Sequence, residues 1–336
     1  MPALIEVADL VKEFRSFQRG EGIASALRNL FFRQYTTVRA VDSISFAIPA
    51  GEMVGYIGPN GAGKSTTIKM LTGILMPTSG SVVSNGYLPF NQRAKYTRTI
   101  GAVFGQRTQL WWDIAVVESF RLLKNIYNVS DADYAARMRR FDEVLEIGKY
   151  LHTPVRKLSL GERMRCDVAA ALLHNPPILF LDEPTIGLDI VAKDRIREFL
   201  KQVNRESGTT ILLTTHDLAD IEELCARLMV IDKGKLLFDG PLIELKRRLW
   251  RENTVRFELR DREQAQRLEA LPLPGVTAER LSDLSIRLHF ARDRHSTAEV
   301  IRKVLNSVEV TDIAIEEQSI DEVVKEIYLG SALTHS

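Results

Sequence analysis

Short apolar runs set the rhythm of the first two thirds of this chain. Residues 53–57, 177–181 and 210–213 carry almost no charged side chain, the pattern of parallel strands covered on both faces. A strand from Ile44 and a turn at Pro49-Ala-Gly51 precede the first run, and a helix with apolar Ile68, Met70 and Leu71 follows it. Strands that alternate with helices in this way predict an α/β fold around a parallel sheet. Between the strand groups, 115–124 and 133–151 carry apolar residues at helical spacing, with Phe141, Val144, Leu145 and Ile147 on one face, and read as a helical insertion.

The texture changes after Gly240. Val255, Phe257 and Leu259 alternate with Arg256, Glu258 and Arg260, and Leu284, Ile286, Leu288 and Phe290 alternate with Ser285, Arg287 and His289. Such alternation marks half-buried strands. A helix with Val300, Ile301, Val304 and Leu305 on one face, a strand over 310–315, and a terminal helix opened by the Ser319/Glu322 capping box complete a small α+β domain.

A chain of 336 residues exceeds what one hydrophobic core commonly serves, so two domains are expected, over 1–245 and 251–330. The 45% apolar and 26% charged composition excludes global disorder and a disulfide-stapled scaffold. Basic and acidic residues nearly cancel, at 45 against 44, so no global field draws the chain to nucleic acid or anionic lipid. Cys166 and Cys225 stand far apart without CxxC spacing and read as core thiols of a reduced compartment. The N-terminus lacks the basic and apolar regions of a signal peptide, and the longest charge-free stretch, 70–92, is broken by Pro77, Gly80, Gly86 and Pro89. Work at a membrane would therefore need another chain to cross it.

The segment Gly58-Pro-Asn60-Gly61-Ala-Gly63-Lys64-Ser65-Thr66 satisfies GxxxxGK[ST] between an apolar strand and a helix, the context that motif requires. Its backbone N–H groups and the helix N-terminus suit phosphate, Lys64 reaches the outer phosphates, and Ser65 offers a hydroxyl to Mg²⁺. Asp182 and Glu183 close the apolar run 178–181, at the strand ends where parallel sheets bind ligands. Asp182 suits the magnesium shell and Glu183 suits polarising a water that attacks the terminal phosphate.

With these motifs, Leu158-Ser159-Leu160-Gly161-Glu162, Gln106 and His216 complete a pattern that resembles the ATP-binding cassette (ABC) ATPases over about residues 4–240. Pro184-Thr-Ile-Gly-Leu-Asp189 and the appended small domain most resemble the cassettes of ABC-2 type exporters. The resemblance implies a P-loop core of RecA type, a helical subdomain over about 109–160, and ATP with Mg²⁺ as ligands. It implies that Tyr35, 23 positions before Gly58, stacks on adenine. Gln106 would touch Mg²⁺ and the attacking water, and His216 would set the γ-phosphate against Glu183. Ser159 and Gly161 would face the nucleotide of a second cassette, and Asp189 would couple the two sites. The family pattern LSGGQ stands here as Leu-Ser-Leu-Gly-Glu, which places a carboxylate, Glu162, where phosphate is expected.

One chain holds one phosphate loop and one signature segment, so the resemblance implies dimerisation with itself or with a homologous cassette. It also implies docking on ABC-2 type permease subunits at the cytoplasmic face of the membrane, with Trp111 and Trp112 near the docking groove. A soluble cassette acting on ribosomes or DNA, and an importer ATPase, are the competing readings. The first would carry two cassettes or a long coiled coil, and neither is present. A nucleotide-binding module without catalysis would be expected to lack Glu183 or His216, and both are here. Finally, 15–34 reads as an insertion, where Arg15, Arg19, Arg28, Arg33 and nearby Arg39 face the single acid Glu21. Leu27, Leu30, Phe31 and Phe32 fall on one face of a short helix, which would pack on the cassette or touch headgroups or the permease.

Overall fold

The computed structural model describes residues 3–17, 35–105, 107–249, 252–291 and 293–316. They divide into two compact units, with the boundary between Pro241 and Leu242.

The first unit contributes nine strands: β1 (Ala3–Phe17), β2 (Tyr35–Pro49), β3 (Met53–Ile57), β4 (Ser79–Ser84), β5 (Ile100–Phe104), β6 (Ile178–Asp182), β7 (Thr210–Thr214), β8 (Arg227–Asp232) and β9 (Lys235–Pro241). A six-stranded sheet runs in the order β5-β6-β7-β3-β8-β9, parallel except for β9. Every residue of β3 and β7 is buried, as expected of runs without a polar face. The second sheet, β2-β1-β4, is antiparallel, and the two share a core around Leu10, Ile48, Tyr56, Ile68, Phe180 and Met229.

β1 and β2 are longer than the hydrophobic pattern predicts. Strand pairing continues through Arg15 opposite Thr37 to Phe17 opposite Tyr35. The expected insertion therefore begins after Phe17 rather than at residue 15. Arg39 lies on β2 beside Glu13 and Asp42, at 2.9 and 2.8 Å, so these acids already neutralise its charge. The helix expected around 27–32 and Arg19, Glu21, Arg28 and Arg33 lie outside the described residues.

The helical segment between β5 and β6 comprises Val116–Ile126, Asp131–Leu145 and the helix Leu160–Ala171. Phe141, Leu145 and Ile147 are buried on the expected face. The second helix stops at Leu145 rather than 151, because Glu146 turns left-handed at φ 51° and a 3₁₀ turn takes over 147–150. Cys166 and Cys225 are both buried and unpaired; burial pushes the Cys166 thiol up to about 12 and raises that of Cys225 as well.

The second unit adds β10 (Glu252–Leu259), β11 (Val276–Arg280), β12 (Ser285–Ala291) and β13 (Val310–Glu316), with helices Arg262–Glu269 and Thr297–Leu305. Strand order β11-β12-β10-β13, fully antiparallel, with a helix after β10 and another after β12, is a βαββαβ ferredoxin-like arrangement. The alternating residues Val255, Phe257, Leu259, Ile286, Leu288 and Phe290 meet Ala265, Leu268, Val300 and Val304 in a core of the unit's own. Leu284, just before β12, and Leu305 and Ile315, near the ends of their elements, stay exposed. The helix Leu242–Leu249 precedes this sheet and belongs to the same unit. The terminal capping box at Ser319 and Glu322 lies outside the described residues.

Candidate functional site

The phosphate loop leaves β3 and closes onto the helix Lys64–Leu71. Its glycines have separate reasons. A Cβ at Gly58 would stand 2.3 Å from the Ile231 carbonyl oxygen, and one at Gly63 2.4 Å from the Ala40 oxygen with φ at 111°. Both positions require bare backbone, while Gly61 at φ 81° needs conformational freedom rather than space. Asn60 lines the same opening. Lys64 is folded back, its Nζ donating to the carbonyls of Gly58 at 2.5 Å and Pro59 at 3.1 Å. Burial lowers its pKa, while Glu183 and Asp182 act in the opposite sense. Thr66 follows Ser65 in the first turn of the helix.

Asp182 ends β6 beside this loop. Its Oδ1 accepts from Ser65 Oγ at 3.2 Å and from Thr214 Oγ1 at 2.6 Å. Glu183, next in the chain, takes a left-handed φ of 57°, and its N–H donates to the Thr214 carbonyl at 3.0 Å. That unusual conformation turns its side chain towards His216, whose Nε2 lies 2.5 Å from Glu183 Oε1. A cavity of about 560 Å³ opens here, lined in part by Asn60, Ser65, Asp182, Glu183 and His216. Ser65, Asp182, Glu183 and His216, drawn from three separate stretches of sequence, thus share one wall.

Gly105 and Arg107 are among the cavity residues that escape the sequence reading. Gly105 donates its N–H to the Asp182 carbonyl at 2.8 Å, and a Cβ there would stand 2.3 Å from the Glu183 oxygen. The chain leading to Gln106 can thus lie against the carboxylate strand only because residue 105 has no side chain. A glycine directly before Gln106 was the available signal. Arg107 also lines the cavity. Gln106 itself lies outside the described residues, as does the Tyr35 side chain, although the Tyr35 backbone pairs with Phe17.

Ser159 N-caps the helix Leu160–Ala171, its Oγ accepting from the Glu162 N–H at 3.3 Å, while Glu162 Oε2 accepts from the Ser159 N–H at 2.8 Å. This is a complete capping box. The carboxylate that the sequence places near phosphate is therefore engaged with its own helix start. At Gly161 there is room for a Cβ, which would stand 3.6 Å from Leu188. Gly187, at φ 68°, has no such room, because a Cβ would come within 2.9 Å of Leu160 Cδ2. Asp189 caps the helix Ile190–Ser207 by accepting from the Ala192 N–H at 2.8 Å.

Further along the Leu160–Ala171 helix, buried Asp167 holds the segment after residue 106. Its Oδ1 accepts from Thr108 Oγ1 at 2.8 Å and from the Gln109 N–H at 3.0 Å, and Gln109 Nε2 donates to the Asp167 carbonyl at 2.9 Å. Burial outweighs these donors and pushes the Asp167 carboxyl up to about 6. The folded state then binds more protons than the unfolded chain between the ordinary aspartate value and about 6, so this group's contribution falls as pH rises through that window and is constant above it. Wild type is expected to lose about 2 kcal/mol relative to Asp167→Asn between pH 4 and 7. Denaturant titrations of both proteins across that range check it, and parallel pH profiles would contradict it.

A family model described as ABC transporter matches residues 41–186. The ABC transporter ATP-binding protein NatA of Bacillus subtilis is 33% identical over 208 residues, 62% of this chain and 84% of the relative. The chain belongs to the ABC transporter family. The daunorubicin/doxorubicin resistance ATP-binding protein DrrA of Streptomyces peucetius is 34% identical over 296 residues, covering 86% of this chain and 88% of its own. Among solved structures, a dimeric ATP-binding cassette in a post-hydrolysis state with ADP and Pi aligns at TM-score 0.60 and 26% identity, over 71% of this chain and 98% of that one. The chain is thus an ABC transporter ATPase, grouped with the ATP-binding subunits of export systems. No described helix is long and apolar enough to cross a membrane.

Proposed function

We propose that this cassette hydrolyses ATP between two copies, or between itself and a homologous cassette, to drive export through separate ABC-2 type permease subunits. The observation that carries the reading is the Glu183–His216 contact of 2.5 Å beside the Ser65–Asp182 contact of 3.2 Å at the mouth of the phosphate loop. In this reading the loop from Gly58 to Thr66 holds the phosphates, with Asn60, Gly61 and Gly63 presenting backbone N–H groups and Lys64 turning from its own carbonyls to the outer phosphates. Glu183 accepts the proton of the attacking water, and His216 Nε2 orients Glu183 and the γ-phosphate.

The oxygen donors Ser65 and Asp182, with few other ligands near, fit Mg²⁺, which keeps waters and phosphate oxygens in its shell. When bound, the ion would supply positive charge that offsets the charge developing on the phosphates. Gln106 would join that shell, and Tyr35 would stack on adenine. The partner copy supplies Ser159, Gly161 and the N-terminus of the helix behind them, with Asp189 nearby. Half-exposed Trp111 and Trp112, at 40 and 49%, fit the surface on which a permease segment docks, at the cytoplasmic face of the membrane.

The direction of transport is argued from the relatives, since DrrA is named for drug resistance. The experiment is affinity purification from detergent-solubilised membranes, followed by ATPase assay with and without the permease. A polytopic membrane protein in stoichiometric amount that raises turnover is expected. Sedimentation with ribosomes and no membrane partner would replace this reading with that of a soluble cassette.

A further inference from the structure

Asp220, in the helix Leu218–Leu224, is fully buried and lies outside the cavity. Its Oδ2 accepts from two hydroxyls, Thr185 Oγ1 at 2.5 Å and Thr215 Oγ1 at 3.1 Å. Its Oδ1 accepts from Arg197 Nε at 2.6 Å, with Nη2 at 2.5 Å. Thr185 stands two residues after Glu183, and Thr215 directly precedes His216. One carboxylate therefore grips both chain segments that carry the Glu183–His216 pair.

The surroundings make this grip stiff. Arg197 is itself nearly buried and also meets Asp194 at 3.1 Å and Glu223 at 3.2 Å, while Lys193 meets Asp217 at 2.5 Å. The Thr215 hydroxyl is fixed from its other side by the Asp217 N–H at 3.0 Å. A buried ion pair contributes little net stability compared with an apolar core, because desolvation offsets attraction. What it provides is one permitted geometry, since any displaced donor leaves a buried charge unsatisfied. Glu183 sits in a left-handed conformation on one side of a 2.5 Å contact, and a contact that short needs both backbones fixed.

We infer that Asp220, held by Arg197, is a positioning residue that sets Glu183 against His216 through the hydroxyls of Thr185 and Thr215. This rests on the proposed roles of Glu183 and His216, and it adds that their alignment is enforced from behind the site.

The test uses the full chain and removes one hydroxyl at constant shape. Thr185→Val is expected to lower kcat about tenfold with KM for ATP within about twofold of wild type, while Thr185→Ser restores kcat. In a Glu183→Gln background, Thr185→Val should change the residual turnover by less than about twofold, because the group it positions is gone. Wild-type kcat in Thr185→Val alongside an inactive Glu183→Gln would overturn the positioning role alone. Wild-type kcat in Glu183→Gln would overturn the catalytic reading beneath it. If valine lowers the thermal midpoint, Thr185→Ala and Thr185→Ser decide: kcat that tracks the hydroxyl supports the inference, and kcat that tracks the midpoint overturns it.

Discussion

Glu183→Gln is expected to lower ATP turnover by roughly 10² to 10⁴, the span usual for loss of a general base, with ATP affinity retained. Glutamine keeps the carbonyl oxygen that His216 Nε2 reaches at 2.5 Å, so the local geometry should survive while the proton acceptor is lost. The N–H of residue 183 would still donate to the Thr214 carbonyl, which holds the left-handed turn. Because binding persists and cleavage does not, nucleotide should accumulate in a closed dimer. Size-exclusion chromatography with light scattering, with and without ATP and Mg²⁺, checks this alongside a phosphate-release assay. A variant that hydrolyses at the wild-type rate would remove Glu183 from the mechanism. A variant that stays monomeric in saturating ATP would remove the two-copy site.

Lys64→Ala should produce the opposite lesion. The ammonium stands to exchange its contacts with the Gly58 and Pro59 carbonyls for contacts with phosphate, and charge-assisted hydrogen bonds of this kind are worth about 1.5 to 3 kcal/mol each. Losing one or two of them should weaken ATP binding by roughly 10- to 100-fold or more. The same truncation leaves two loop carbonyls without their internal donor, so the empty loop should loosen as well. Calorimetric titration with a slowly hydrolysed ATP analogue measures the first effect, and protease sensitivity around residues 58–65 the second. Unchanged affinity would place the phosphates elsewhere. The two variants separate cleanly, since Glu183→Gln binds without cleaving and Lys64→Ala binds more weakly.

The phosphate loop was legible because its requirement is local: glycine spacing, one lysine and one serine between a strand and a helix specify it without distant contacts. The buried strands were legible for a related reason, since a run such as 210–213 has no polar face to offer solvent. The second unit could be read from strict alternation at Val255, Phe257 and Leu259, whose inward positions all reach its core. Long-range pairing was not legible. Asp220 meets Thr185 and Arg197 across 35 and 23 residues, and nothing in its own neighbourhood announces it. The extra length of β1 was hidden too, because Glu13, Arg15 and Ser16 look like loop until β2 supplies their partners. Glu162 shows a third kind of gap. Its spacing from Ser159 is that of a capping box, while the family pattern at the same position points to phosphate, and the helix start holds the carboxylate.

Leu160, at the start of its helix, packs over Gly187, in the turn before Asp189, a contact that no motif pairs. The leucine occupies the space above residue 187, and the glycine beneath it has a backbone twist that side chains resist. A methyl group arriving at 187 meets both that backbone twist and the leucine's Cδ2, and trimming the leucine relieves only the second. The order in which mutations arrive thus matters here, and a combinatorial library at these two sites should show Gly187→Ala tolerated modestly better after Leu160→Gly than before it, the remaining cost being that of the left-handed backbone.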